Sequence, residues 1–452
     1  MATRFQGPKG TRDFYPDAMA VRRYIEDAWR TVSTRFGFLE VDGPTFEPLE
    51  LYKIKSGDEI VSQLFHFQDR ADRALALRPE FTPSLARMVA EKAGSLPRPI
   101  KWFSIPRCYR AEQPQKGRLR EFIQWNADVL GDATTAADVE LVAVCVAALE
   151  ELGLTAREVR VGWNHRELLT RGLCAGPFIA ERMPVAYEIL DKLHKLDAAG
   201  QNALFEAREC TPGEVAVFDL LTASAKPGEQ GRQAMEELLA SWPDDVRSEI
   251  AQRQSEFANA GLGDYCAFDM TIVRGLAYYT GFVFEAFDVG GANRALAGGG
   301  RYDKLVELLG GPEIPATGFG MGDVVLELVL REKNLLPKNL LPQPDVFVVN
   351  ILPDPLPAQR LLAHLRKTHW NADHTAVTGR GLHAVTSTRA TKNVGKLLQE
   401  AAGSGARVAA IFLPDEYARG VVKIKNMADR SETEAPAAEA VAMLRQLIGA
   451  LR

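Results

Sequence analysis

The stretch Arg107-Cys-Tyr-Arg110-Ala-Glu112-Gln-Pro-Gln115-Lys116-Gly-Arg118-Leu-Arg120-Glu121-Phe-Ile-Gln124 decides how this chain folds. Two strand-like runs flank a Pro-Gln-Lys-Gly turn, which is the pattern of an antiparallel hairpin. Taken alone it is an exposed charged hairpin. Its arginines also suit a polyanion, because the planar guanidinium fork meets phosphate oxygens two at a time.

Outward from this hairpin, segments 101–110, 120–130, 268–274 and 281–288 are rich in aromatic and β-branched residues, with turn signals between many of them. Residues 18–36 carry Ala20, Ile25, Ala28, Trp29, Val32 and Phe36 at helical spacing and end at Gly37, so a helix is expected there. Phe38–Val41 reads as a strand stopped by Gly43-Pro44. Antiparallel strands with helices inserted between them fit this order better than a regular βαβ alternation, so the first 330 residues read as α+β.

Residues 165–262 are rich in Ala, Leu, Glu and Lys and read as a helical insertion between two parts of the core, 1–164 and 263–333. Prolines punctuate 334–344, the pattern of a linker. Residues 345–452 alternate buried-type runs (Val346–Ile351, Val408–Leu413) with helical ones such as Leu361–Leu365, which predicts a small α/β domain.

The bulk numbers exclude several classes. A chain of 452 residues exceeds one ordinary core, so two or three domains are expected. No run approaches eighteen apolar residues, so no membrane span is predicted. Met1–Arg12 is polar, without an apolar targeting core, and reads as the start of a mature protein. The five cysteines form no CxxC pair, which suits reduced thiols in the cytoplasm. The histidines do not join them at zinc-ligand spacing, and no structural zinc is expected. The net charge of −5 argues against indiscriminate nucleic-acid coating. From Asp345 onward, however, 14 Lys and Arg face 10 Asp and Glu, a mildly basic tail on an acidic body.

No GxxxxGK[ST] loop occurs, and Gly318-Phe-Gly-Met-Gly322 is not GxGxxG. A nucleotide would therefore be held by side chains. The hairpin resembles motif 2 of class II aminoacyl-tRNA synthetases in the form carried by the histidyl enzymes. Gly7–Pro16 is similar to the opening of that family, and Phe36–Thr45 to its dimer-forming motif 1. Val273-Arg274-Gly-Leu-Ala277-Tyr278-Tyr279-Thr-Gly281 resembles the family's RGLxYY run, and Ala297-Gly-Gly-Gly-Arg-Tyr-Asp303 a second family block. Alone, the first could be cation–π packing and the second a glycine turn. Together, in order behind motif 2, they identify the chain as a member of the family.

The resemblance implies a class II antiparallel sheet core, the helical insertion, and an anticodon-binding domain over 345–452. It implies ATP with Mg2+, L-histidine, tRNA(His), and a homodimer. Arg110 and Arg274 would be the catalytic, phosphate-bracketing arginines, and Glu112 would meet adenine. Gln115, Lys116 and Arg118 would face the tRNA acceptor end. Glu80 and Thr82, within Arg78-Pro-Glu-Phe-Thr82, would receive the ammonium group of histidine. Thr82 could also cap the helix that Pro83 begins. Gln124, Asp128, Tyr278 and Tyr279 would complete the pocket. A carboxylate and a hydroxyl at opposite ring nitrogens select imidazole, since analogues leave buried polar groups unpaired.

The pattern departs from the family at two points. The nucleotide-stacking arginine of motif 3 falls on Val325, and Ala277 stands where many members carry Asp. The competing reading is a non-catalytic regulatory subunit of ATP phosphoribosyltransferase built on the same fold. The Gln115–Arg118 turn, Arg274 and the C-terminal domain favour the ligase.

Overall fold

The computed structural model describes residues 5–56, 58–193, 196–224, 229–273, 279–290 and 295–451. Backbone contacts divide the chain into Met1–Leu340 and Leu341–Arg452, a division that falls within the proline-punctuated stretch.

The first unit is built on a nine-stranded sheet. Its strands follow the order Leu39–Glu40, Ile100–Ser104, Glu121–Leu130, Ala316–Gly322, Ala297–Arg301, Phe282–Asp288, Val159–His165, Cys266–Phe268, with Arg107–Tyr109 paired to Glu121–Leu130. Pairing is antiparallel through the interior and parallel at the two ends. The α+β expectation therefore holds.

Alternation explains the central strand. Ile123, Trp125, Ala127 and Val129 of Glu121–Leu130 enter the main core, leaving Gln124, Asn126 and Asp128 on the opposite face. The core side is closed by the helix Pro16–Arg35, whose Trp29 stacks on Trp125 at 5.9 Å. Phe319 meets Trp125 edge-on at 4.9 Å. The helix ends as its sequence predicts, with Gly37 at φ +78.

Strand boundaries differ from the sequence reading in three places. Segment 101–110 is two strands, broken at Ile105-Pro106, because proline offers no ladder donor. Segment 268–274 is represented by Cys266–Phe268, after which Asp269 accepts from the backbone and hydroxyl of Thr271 (2.9 and 2.6 Å) and turns the chain. The glycine block 297–301, readable as a turn, is a fully buried strand in mid-sheet.

Among the described residues six α-helices lie between Arg166 and Asn259. Among the described residues no helix is long and apolar enough to cross a membrane. All five cysteines are free.

The second unit is a five-stranded mixed sheet in the order Ala384–Thr386, Val346–Asn350, Val408–Phe412, Val421–Asn426, Glu432–Pro436. Val346 and Val348 face Leu361, Leu365, Leu444 and Ile448, whereas Phe347 and Val349 face Leu397 and Ala401. Both faces of this strand are covered, which is why its sequence is a continuous apolar run.

Candidate active site

The polar face of Glu121–Leu130 is the floor of the site. Asp128 is fully buried there, and its Oδ1 accepts the Tyr302 hydroxyl at 2.6 Å. Burial, reinforced by the Asp128 charge, pushes the Tyr302 hydroxyl well above the ordinary phenol range. The proton therefore stays on oxygen and the hydroxyl remains a donor. Tyr302 lies in the block Ala297–Asp303, but the motif reading gives it no role. What could have drawn attention to it is its place at the end of a glycine strand crossing the same sheet.

Neighbouring glycines make room for this face. Gly318 lies directly across the ladder from Asp128, and a β-carbon there would stand 1.9 Å from Asp128 Oδ1. A β-carbon at Gly320 would stand 2.5 Å from Gln124 Nε2. Side chains at these positions would fill the space the two polar groups occupy.

Gln124 is joined to the hairpin by Cys108, whose Sγ lies 3.8 Å from Gln124 Oε1. Burial pushes the Cys108 thiol up to about 12, with Arg110 and Arg78 pulling it down and Glu80 and Asp42 raising it. Cys108 is thus a protonated thiol lying among Gln124, Arg110, Arg78 and Glu80. Arg110 donates from Nε to the Pro79 carbonyl at 3.3 Å, and its guanidinium lies 4.9 Å over the Phe122 ring. No carboxylate among the described residues claims it, leaving its outer N–H groups for an anion.

Arg78 fixes how Glu80 enters. It is buried and donates to the Arg107 and Gly43 carbonyls and to Asp42 (2.9, 2.9 and 2.8 Å), tying the motif 1 segment to the hairpin. Glu80 follows, half-buried. Thr82 is buried as the first residue of the helix Thr82–Lys92, whose cap residue is Phe81 and carries no side-chain cap bond. The capping alternative for Thr82 is therefore not realised.

At the hairpin tip Gln115 and Arg118 exchange backbone bonds (3.0 and 2.9 Å) around Lys116-Gly117, with Gly117 at φ +76. The sequence reading sends Glu112 to adenine and Arg118 to tRNA, but here the two form an ion pair with each other. Lys116 reaches Glu332 at 3.3 Å. Val325 is buried in the core, and its Cγ2 lies 3.2 Å from where a Gly117 β-carbon would stand. An apolar contact beneath the hairpin tip thus occupies the place aligned with the family's arginine.

Tyr279 is buried near Tyr302, and its carbonyl accepts from Arg166 at 2.8 Å. Arg274, Ala277 and Tyr278 lie outside the described residues. The structure thus brings Glu80, Thr82, Arg110, Gln124, Asp128 and Tyr279 to one region around the central strand, with Glu112 to Arg118 at its rim.

The family model described as histidyl-tRNA synthetase matches residues 10–323. The chain belongs to the histidyl-tRNA synthetase family. A relative from Opitutus terrae, named histidine–tRNA ligase, is 40% identical over 98% of this chain and 99% of its own. The crystal structure of histidyl-tRNA synthetase from Nostoc sp. shares the fold with a TM-score of 0.74 at 23% identity, covering 99% of this chain and 100% of that one. A Bacillus halodurans structure described as an ATP phosphoribosyltransferase regulatory subunit/histidyl-tRNA synthetase has a TM-score of 0.68 at 24% identity, over 88% of this chain and 97% of that one. The last two likenesses concern fold alone. Arg12 Nη2 lies 2.5 Å from Asp323, which opens the helix following Gly322 and accepts from the Ile123 N–H at 2.9 Å.

Proposed function

We propose that this chain is a histidine–tRNA ligase, activating L-histidine with ATP to histidyl-adenylate and pyrophosphate, then transferring histidine to the 3'-end of tRNA(His). The observation that carries this reading is the buried Asp128–Tyr302 pair beside Gln124 on the face reached by Arg110. A buried carboxylate aligned by a tyrosine suits the N–H of an imidazole.

The carboxylate of histidine is already ionised, so its attack on the α-phosphate needs no general base. It needs alignment and charge stabilisation as pyrophosphate leaves. Arg110 supplies the cation, with Arg274 as its counterpart. Glu80 and Thr82 take the ammonium group, Gln124 the amino-acid backbone, and Asp128, Tyr278 and Tyr279 the ring. Glu112 turns to adenine once Arg118 leaves it, and Gln115, Lys116 and Arg118 then meet the tRNA acceptor end.

Among the described residues no group of three or more His, Cys, Asp or Glu side chains is placed to grip a metal ion. Mg2+ would arrive on ATP, bound through phosphate oxygens, waters and one or two carboxylates. When bound it neutralises charge on the leaving pyrophosphate.

Residues 345–452 are the anticodon-binding domain in this reading, and the enzyme is a cytoplasmic homodimer. The exposed Leu39, Phe46 and Phe67, beside the segment resembling motif 1, support a protein contact there. The competing reading is the regulatory subunit of ATP phosphoribosyltransferase, which the fold alone does not separate from the ligase. ATP–pyrophosphate exchange with each of the twenty amino acids, without tRNA, separates the two. Exchange with histidine alone is expected. Histidine binding without exchange would select the regulatory reading.

A further inference from the structure

The second unit carries a small hairpin that its sheet does not need. Strands His369–Trp370 and Val377–Gly379 pair only with each other, outside the five-stranded sheet. Asn371 closes the loop: its N–H donates to the Ala376 carbonyl, its carbonyl accepts from the His374 N–H, and its side-chain oxygen accepts from the Ala376 N–H at 2.9 Å. Arg445, from the helix Ala440–Ala450, holds the base by donating to the carbonyls of Lys367 and Arg380 (2.9 and 2.8 Å). The hairpin is therefore held at both ends and projects its tip outward.

What it projects is an aromatic ring. Trp370 is 49% exposed, the only exposed Phe, Tyr or Trp among the described residues of this unit. His374 stacks on it at 6.4 Å and 30°. Tryptophan joins a large apolar face to a polar tip and is enriched where proteins meet partners.

The charge around it indicates which partner. Within 366–380 the cations are Arg366, Lys367 and Arg380, against the single carboxylate Asp373, which is taken by the Thr375 N–H and hydroxyl. Among the described residues these three cations enter no ion pair, whereas Arg389, Arg419, Lys423 and Lys425 of the same unit all do. Arg366 and Arg380 also line a cleft of about 570 Å³ at the base of the hairpin. Arg366 donates from Nε to the Ala384 carbonyl at 2.8 Å, which fixes it at the base of the hairpin. An exposed indole on a hairpin whose base carries cations outside any ion pair fits a base lying on the ring with its phosphates on the arginines.

We propose that the hairpin 369–379 is a stacking platform for an unpaired nucleotide of the transfer RNA, with Trp370 under the base and Arg366, Lys367 and Arg380 on the flanking phosphates. This rests on the ligase reading, naming a contact of its tRNA that the motif resemblance does not include.

The test uses the full chain and a transcribed histidine tRNA. Trp370→Ala raises the KM for tRNA about tenfold with kcat nearly unchanged, as loss of one base–aromatic stack predicts. Trp370→Phe, which keeps a ring face, stays within about twofold by the same argument. Arg380→Ala lowers the slope of log affinity against log salt by about 1. Histidine-dependent pyrophosphate exchange without tRNA is unaltered in all three. An unchanged KM in Trp370→Ala overturns the platform and leaves the ring to a protein partner. Equal rises in Trp370→Ala and Trp370→Phe overturn it too, since stacking would then not be the cause. A wild-type protein without exchange or charging overturns the ligase reading instead. Filter retention of the same transcript by the same variants then decides the platform separately.

Discussion

The Tyr302 hydroxyl donates to Asp128 Oδ1 across 2.6 Å in the floor of the site, each residue about 1% exposed, linking the central strand to the end of a strand that is not its neighbour in the sheet. Removing the hydroxyl leaves a buried carboxylate short of a donor, a loss of about 1–3 kcal/mol. Tyr302→Phe is therefore expected to raise the KM for histidine roughly tenfold or more in pyrophosphate exchange, with the KM for ATP little changed. Asp128→Ala is expected to act in the same direction and more strongly. Equal losses for both substrates would remove these residues from the imidazole pocket.

Arg107 pairs with Glu121, Lys116 with Glu332 and Arg118 with Glu112, and Arg120 donates to the Glu112 carbonyl. Among the described residues the Arg110 side chain meets no carboxylate, and it lies beside Cys108, the Pro79 carbonyl and the Phe122 ring. Its replacement by alanine is expected to slow exchange about 10²- to 10³-fold, by analogy with deleting one oxyanion-hole donor. Arg110→Lys keeps the charge but not the fork, and is expected to recover little of that loss. Near-normal turnover in Arg110→Ala would exclude it from the phosphate site.

The Gly318 position offers a test of the floor that replaces no polar side chain. A methyl there meets Asp128 Oδ1 at 1.9 Å, whereas Gly322, four residues along, has nothing within 4 Å. Gly318→Ala is expected to lower stability by about 1–3 kcal/mol and to weaken histidine binding. Gly322→Ala is expected to do neither. Thermal melts and histidine titration of the pair give the answer, and indistinguishable variants would disprove the close approach.

Much of this floor was legible in the sequence, for identifiable reasons. The period-two pattern of Glu121–Leu130 separates Trp125 from Gln124 without any structure, because one face must be apolar. Helix Pro16–Arg35 is equally plain, since its apolar spacing ends at a glycine of positive φ. The strand Ala297–Arg301 was not legible, because three glycines carry no propensity or pattern and their burial is set by the strands on either side. Tyr302 was lost with it. The Glu112–Arg118 ion pair was also out of reach. Motif likeness assigns each residue a ligand, and only coordinates show that the two partner each other.

Arg12 and Asp323 link the N-terminal segment to the helix after Gly322, at 2.5 Å, and Asp323 also caps the Ile123 N–H of the central strand. Breaking such a pair from one side strands a buried charge, at roughly 3–5 kcal/mol when burial is complete and less here because the Arg12 side chain is 24% exposed. Arg12→Met is expected to be clearly destabilised in urea melts. The double variant Arg12→Met/Asp323→Asn is expected to regain most of that stability, since the amide oxygen still accepts from Ile123 and Glu327, the more distant partner of Arg12 at 3.7 Å, keeps Arg331. Additive losses would show that the two residues act independently.

His165 makes acid sensitivity a further test. It ends the strand Val159–His165, where burial first, and then Arg253, Arg301 and Arg171, lower its pKa from 6.5 to about 3. The folded state therefore holds the ring neutral while the unfolded chain binds a proton below about 6.5. A depressed histidine contributes stability that is full above 6.5 and is lost as pH falls toward 3. Over that window it steepens the decline by at most about 1.4 kcal/mol per pH unit. His165→Asn removes the titrating group, so its stability relative to wild type is expected to improve steadily from pH 6.5 down to 4. Chemical denaturation of both proteins at half-unit intervals checks this. A constant difference across the range would show that His165 is protonated in the fold as readily as in the unfolded chain.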